Sequence, residues 1–129
     1  MSTRIDRQAL EAVTELLYRE AQALDRGQFD AWLAMFTEDA RYLIPPTDRP
    51  DADPSCHLFI VNDDAVRLRG RVDRMLSKNA HANFPRPRTR HLVTNILVEP
   101  SEQGYVAESN LVVHTHRQGD ANVFVGVND

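Results

Sequence analysis

Few side chains of this sequence could bind a metal. Cys56 is the only cysteine, so the chain cannot supply the ligands of a Rieske iron–sulfur cluster or a multi-cysteine zinc site, nor form an internal disulfide. Among five histidines, His114 and His116 form the one close pair, and strand alternation places both rings on one face. No carboxylate lies near them at a familiar metal-site spacing. We therefore expect no metal and no other cofactor in this chain, and we assign both histidines to an interface.

Arginines are concentrated in the middle of an otherwise acidic chain. A nucleic-acid site would interleave aromatic side chains with such charges, but here Phe84 alone does so, and several aspartates lie among the arginines. One alternative is a solvated surface. The stronger use is bidentate pairing with carboxylates of a neighbouring subunit. The predicted interface arginines are Arg67, Arg71, Arg74, Arg86, Arg88 and Arg90.

Composition and charge are those of an ordinary globular protein. Hydrophobic residues make up 42% and charged residues 26% of 129 residues, which predicts a single domain over 1–129. The 15 basic and 19 acidic side chains give a net charge of -4, so no global field attracts nucleic acid or an anionic membrane. No window approaches the roughly 18 apolar residues of a membrane span. With its lone cysteine, the sequence predicts a cytoplasmic protein.

Two helices are predicted at the start of the chain. Over residues 5–24, apolar side chains recur at three- and four-residue steps, which indicates an amphipathic helix. Ser2 or Thr3 is its expected N-cap, and Gly27 suits its C-terminal end. A second, short helix is expected over residues 29–36, with apolar side chains on its inner face.

The middle of the chain predicts a strand, a loop and a third helix. Residues 40–44 alternate as a strand does, and the prolines of residues 45–54 favour an extended loop. Asn62 or Asp63 is the expected N-cap of a helix with apolar residues spaced over 66–76.

Three β-rich segments complete the chain, at residues 89–98, 105–115 and 121–127, with hairpin turns expected at 99–102 and 117–120. Helices followed by antiparallel strands imply an α+β arrangement in which the helices cover one concave face of a curved sheet. The last strand would be an unprotected edge, so we expect that something covers it or that the native protein continues.

Several local strings follow one another along nearly the whole chain in an order that resembles one family. They are Tyr18-Arg19-Glu20-Ala21 with Leu24-Asp25, Phe29 to Phe36, Asp39-Ala40-Arg41-Tyr42, Asp63-Asp64, Arg88-Thr89-Arg90-His91 with Thr94-Asn95, Ser109-Asn110, and Phe124-Val125-Gly126. Together they resemble the small (beta) subunits of aromatic-ring-hydroxylating dioxygenases.

This resemblance implies a cone-shaped α+β fold of the nuclear-transport-factor-2-like (NTF2-like), SnoaL-like class. About three N-terminal helices would pack on a curved, mostly antiparallel sheet. The sequence departs from the family at two places. It ends before the arginine-rich continuation and further strand that family members have, so the final strand is expected to be missing. It also has His114 and His116 where the family leads us to expect arginine at one or both positions.

The resemblance further implies a non-catalytic small subunit that acts in the catabolism of aromatic compounds. Three small subunits, as a homotrimer, would assemble with three large subunits into a hexamer. The large subunit would carry the Rieske cluster, the mononuclear iron and the substrate pocket. The small subunit would contribute assembly and stability.

Small enzymes of the same fold class, such as scytalone dehydratase, imply an alternative. They place an aspartate near the end of the first helix and a histidine on a facing strand, and Asp25 and His91 match those places. Such a dyad would act as a general base in a free-standing lyase or isomerase. We favour a structural pair with too little free volume beside it for a substrate. A third hypothesis is a ligand-binding or scaffold module without a partner enzyme.

Overall fold

The computed structural model describes residues 6–44, 61–81, 88–102, 104–117 and 120–128. The chain forms two compact units, one of residues 1–28 with 84–129 and the other of residues 29–83. The first contains α1 (Arg7–Asp25), β3 (Arg88–Ser101), β4 (Gly104–Arg117) and β5 (Asp120–Asn128). The second contains α2 (Phe29–Leu33), β1 (Arg41–Ile44), β2 (Val61–Asp64) and α3 (Ala65–His81). The predicted mixture of helices and antiparallel strands is confirmed.

Helix α1 begins later than its sequence pattern suggests. Its N-cap is Asp6, whose Oδ1 accepts a hydrogen bond of 3.0 Å from the backbone N–H of Ala9. Ser2 and Thr3, the predicted caps, lie outside the described residues. The C-terminal end is as expected, because Gly27 has a φ of 69° and the Gln28 N–H returns to the Ala23 carbonyl.

The three-stranded sheet has the order β3-β4-β5, and both of its pairings are antiparallel. Its register shifts by one residue in β3, because Thr94 pairs with Asn110 while Leu97 pairs with Glu108. Asn95 lies in this bulge with a φ of 55°, a left-handed conformation that asparagine tolerates better than most residues. Because of this extra residue, the alternation of β3 side chains between the two faces of the sheet shifts by one position after the bulge.

Helix α1 is hydrogen-bonded to this sheet near both of its ends. At its C-terminal end Asp25 bonds to Thr89 and His91 of β3, and at its N-terminal end the Tyr105 hydroxyl donates to Asp6 over 2.9 Å. The lengths match. The helix rises about 28 Å from Asp6 to Asp25 at 1.5 Å per residue. The nine residues from His91 to Pro100, which pairs with Tyr105, extend about 30 Å at 3.3 Å per residue.

The second unit is organised around an aromatic cluster and the start of α3. Trp32, Phe36 and Tyr42 meet edge to face, with ring centroids 4.9 to 6.1 Å apart. Leu68 and Val72 of α3 are fully buried. The prediction for α2 is confirmed, because Phe29 and Trp32 are buried. The prediction for α3 is confirmed only in part, since Val66 and Met75 of its predicted apolar face are 80% and 37% exposed.

The start of α3 and the first hairpin turn differ from their predictions. Asn62 and Asp63 are strand residues that pair with β1, and the cap of α3 is Asp64, whose Oδ1 accepts from the Arg67 N–H over 2.9 Å. Strand β3 continues through Pro100 to Ser101, so most of the turn predicted at 99–102 is strand. Proline is compatible with an edge strand, and among the described strands β3 pairs with β4 alone. The loop predicted at 45–54 lies outside the described residues.

Candidate functional site

Asp25 and His91 are joined by a dense set of hydrogen bonds. The Nδ1 atom of His91 lies 2.6 Å from Oδ1 of Asp25. The backbone N–H of His91 donates to both carboxylate oxygens at 3.1 Å, and the Thr89 hydroxyl donates to Oδ1 at 3.0 Å. Both side chains are largely buried, with 15% of the His91 side chain and 12% of that of Asp25 exposed. Through this single carboxylate, the last residue of α1 is attached to Thr89 and His91 of β3.

This geometry determines which imidazole nitrogen is available. A carboxylate oxygen accepts hydrogen bonds, so the 2.6 Å contact between Oδ1 of Asp25 and Nδ1 of His91 favours the tautomer with a hydrogen on Nδ1. The lone pair of a neutral imidazole then lies on Nε2. Within the part of the chain that the structure describes, Nε2 has no hydrogen-bond partner. His91 therefore combines one nitrogen that Asp25 holds with one that no described residue hydrogen-bonds.

An open cleft of about 510 Å³ lies beside the pair. We call it the α1–β3 cleft; it is lined by residues 90–94 of β3 and, from α1 and its C-cap, by Tyr18, Ala21, Gln22, Asp25 and Arg26. The expected proximity of Asp25 and His91 is confirmed. The expectation of too little free volume beside them was wrong, because the cleft runs along the edge of β3, which pairs with β4 alone among the described strands.

Arg71 is engaged within its own unit. Its Nε donates to Oδ2 of Asp63 over 2.7 Å, and 8% of the Asp63 side chain is exposed. This hydrogen bond lowers the pKa of Asp63, the charges of Arg71, Arg67 and Arg74 lower it further, and burial opposes them. Three of the predicted interface arginines therefore act on the Asp63 carboxylate, Arg71 through a hydrogen bond and Arg67 and Arg74 through their charges. Their role at an interface stays a prediction.

Four other predicted interface residues share one exposed face of the sheet. Arg88 pairs with His116 and Arg90 with His114, and directly opposite residues of antiparallel strands project from the same face. All four are exposed. We call this cluster the basic patch. Arg86 lies outside the described residues.

The described ranges contain no group of three or more His, Cys, Asp or Glu side chains arranged to hold a metal.

Among the helices described, none is both long enough and apolar enough to cross a membrane.

Sequence reasoning missed three features of the site and its support. Thr89 completes the Asp25 network, and its position two residues before His91 on the same strand face was the available signal. The bond from Tyr105 to Asp6 joins residues 99 apart and has no local signal. Ser109 is 1% exposed and its hydroxyl has no hydrogen-bond partner among the described residues.

The comparisons with known proteins agree on one family. A sequence profile described as ring hydroxylating beta subunit matches residues 19–128. The small oxygenase component of the p-cumate 2,3-dioxygenase system of Pseudomonas putida is 49% identical over 119 residues, which are 88% of this chain and 64% of that protein. Toluate 1,2-dioxygenase subunit beta of Pseudomonas putida is 32% identical over 123 residues, covering 92% and 76%. The crystal structure of the benzoate 1,2-dioxygenase beta subunit of Burkholderia mallei superposes with a TM-score of 0.75 at 25% identity, covering 98% of this chain and 78% of that one. Since the match covers 64% of the p-cumate component, this chain spans less than two thirds of that component's length.

Proposed function

Because this chain belongs to the ring hydroxylating beta subunit family and has its NTF2-like α+β fold, we propose that it is the non-catalytic small subunit of an aromatic-ring-hydroxylating dioxygenase. The observation that carries the proposal is the family match over residues 19–128. In this role the chain assembles with a large subunit and stabilises it. The large subunit holds the Rieske cluster and the mononuclear iron that perform the oxidation.

The substrate class proposed for the assembled enzyme is an aromatic carboxylate. The two most similar relatives named above belong to p-cumate and toluate dioxygenases, and the structural relative belongs to a benzoate dioxygenase. All three compounds are benzene rings bearing one carboxylate. The large subunit would recognise them, so this part of the proposal concerns the complex.

The contacts proposed for assembly are the basic patch and three arginines of α3, namely Arg67, Arg71 and Arg74. Arg88, Arg90, His114 and His116 present two permanent positive charges and two imidazoles on one exposed face. Arginine pairs with carboxylates through two parallel hydrogen bonds, which favours it at interfaces. We assign these residues to contacts within a hexamer of three small and three large subunits.

Co-expression with the large subunit of a related ring-hydroxylating dioxygenase, such as the p-cumate 2,3-dioxygenase system of Pseudomonas putida, tests this function. Wild-type chain should co-purify with that subunit, and ring hydroxylation should require both. Reversing two charges of the basic patch, Arg88→Glu with Arg90→Glu, should reduce co-purification about tenfold or more, because like charges would face each other across the contact. Arg69→Glu, an exposed change outside the predicted interface, is the matched control. A large subunit that is fully active alone would contradict the function, and equal retention of both variants would contradict the patch.

A second candidate is a free-standing lyase or isomerase, and the α1–β3 cleft is the observation that favours it. Asp25, His91 and a volume of about 510 Å³ are what a general base and its substrate need. The isolated chain would then catalyse a dehydration or isomerisation. His91→Ala should lower that rate by about 10² to 10⁴ while the fold persists. The absence of turnover in the isolated wild-type chain would exclude this candidate.

A further inference from the structure

The α1–β3 cleft contains polar groups that the assembly role does not use. Nε2 of His91 faces no hydrogen-bond partner in the described chain, although 15% of the side chain is exposed. Asp25 fixes the opposite nitrogen, so the ring is held in one orientation without contribution from a ligand. A rigid acceptor beside a cleft is preorganised to receive a hydrogen-bond donor.

The charges of the cleft favour an anion. Its lining includes one carboxylate, that of Asp25, and two arginines. Arg90 belongs to the basic patch on the opposite face of β3, so Arg26 is the cationic side chain that a ligand in the cleft would meet. The negative charge is already shared among the Thr89 hydroxyl, the His91 N–H and Nδ1. Arg26 is exposed and is therefore accessible to a ligand.

The remaining wall supplies apolar contact. Tyr18, Leu92 and Val93 line the cleft, and Tyr18 and Leu92 are about half exposed, at 55% and 50%. Covering such surface favours binding by roughly 25 cal/mol per Å² of apolar area. The volume of about 510 Å³ lies within the usual range of small-molecule sites, about 300 to 1,000 Å³.

We propose that the α1–β3 cleft binds a small hydroxy acid with an apolar body, whose hydroxyl donates to Nε2 of His91 and whose carboxylate pairs with Arg26. This site is additional to the proposed assembly role. It requires neither the large subunit nor turnover by the isolated chain.

Three related probes test the ligand class on the full chain. They are 3-hydroxybenzoate, benzoate, which lacks the hydroxyl, and phenol, which lacks the carboxylate. NMR titration should show saturable binding of 3-hydroxybenzoate, with amide shifts at Asp25, Arg26 and His91. Its affinity should exceed that of each partial probe by about fivefold or more, since each one omits a hydrogen bond or an ion pair.

Two variants separate the roles of the side chains. His91→Asn keeps an N–H donor near the position of Nδ1 but removes Nε2, so it should abolish the preference for 3-hydroxybenzoate over benzoate. Arg26→Gln should abolish the preference for 3-hydroxybenzoate over phenol, and Arg69→Gln should change neither preference. Melting temperatures establish that each variant is folded.

Three results would overturn the proposal: no saturable binding to folded wild-type chain, amide shifts confined to residues outside the cleft, or preferences that persist in both folded variants. If His91→Asn does not fold, the shift map and the probe series on wild-type chain decide alone.

Discussion

At the scale of single residues, the Asp25 carboxylate connects two elements of the first unit. It accepts from a backbone N–H, a hydroxyl and Nδ1 of His91. Asp25→Asn replaces one acceptor oxygen by a donor that faces other donors, so we expect the free energy of unfolding to fall by about 1 to 3 kcal/mol. Urea denaturation followed by circular dichroism measures this. Asp73→Asn, an exposed change in α3, is the control, and equal losses in the two variants would refute a special role for Asp25.

For Ser109, in contrast to Asp25, we expect that removing the polar group does not destabilise the fold. Its hydroxyl is buried, and no described residue forms a hydrogen bond with it that would compensate for its removal from water. Ser109→Ala removes that group and almost no volume. We expect the variant to be as stable as wild type or more stable by about 1 kcal/mol in the same urea measurement. A loss of stability would show that the hydroxyl has a bonding partner.

At the scale of elements, the N-terminus of α1 depends on its cap. Asp6→Ala should destabilise the start of α1 because it leaves the Ala9 N–H without an acceptor, and it also removes the acceptor for Tyr105. Asp6→Asn should retain most of the stability, since asparagine caps about as well as aspartate. Hydrogen exchange should be faster in the first turn of α1 in the alanine variant only. Protection that is unchanged in Asp6→Ala would contradict the assigned cap.

The junction of β2 and α3 should respond to pH. Because the bond from Arg71 lowers the pKa of Asp63 in the folded state, the pair stabilises the fold above the ordinary aspartate pKa of about 4. That stabilisation is lost as pH falls through the lowered value. Arg71→Gln should therefore be less stable near neutrality, by about 1 kcal/mol or less because 40% of the Arg71 side chain is exposed, and the difference should shrink in acid. Arg69→Gln should show no such difference, and a gap between wild type and Arg71→Gln that is independent of pH would refute the assignment.

The sequence predicts elements better than it predicts their contacts. Helix α1 and strands β3 to β5 follow from repeating apolar patterns, because packing against a common core imposes the period. The bulge at Asn95 has no periodic signal, since one extra residue changes register without changing composition. The pairing of Asp25 with His91 spans 66 residues, so local pattern cannot predict it, and it was expected only from the resemblance to small enzymes of the same fold class. The open cleft beside them depends on where β3 has an edge, which is a property of the sheet.

At the scale of the whole molecule, self-association is the main prediction. The proposed hexamer contains a homotrimer of this chain, and closed symmetry is the common outcome for such contacts. Sedimentation should therefore show a species of three times 14.7 kDa, about 44 kDa, over a wide range of concentration. A clean monomer throughout would count against the trimer and leave the family assignment intact.

The distance along the chain between α1 and its partners has a consequence for biosynthesis. The bonds that anchor the helix join residues 64 to 99 positions apart, so this unit has a high contact order. On the ribosome, α1 emerges well before the strand that it packs on. At about 5 to 20 residues per second, the 66 residues between Asp25 and His91 take about 3 to 13 seconds to synthesise. During that interval the apolar side of α1 has no sheet to cover it, which makes the nascent chain a candidate for chaperone binding until the hairpin of β3 and β4 is complete.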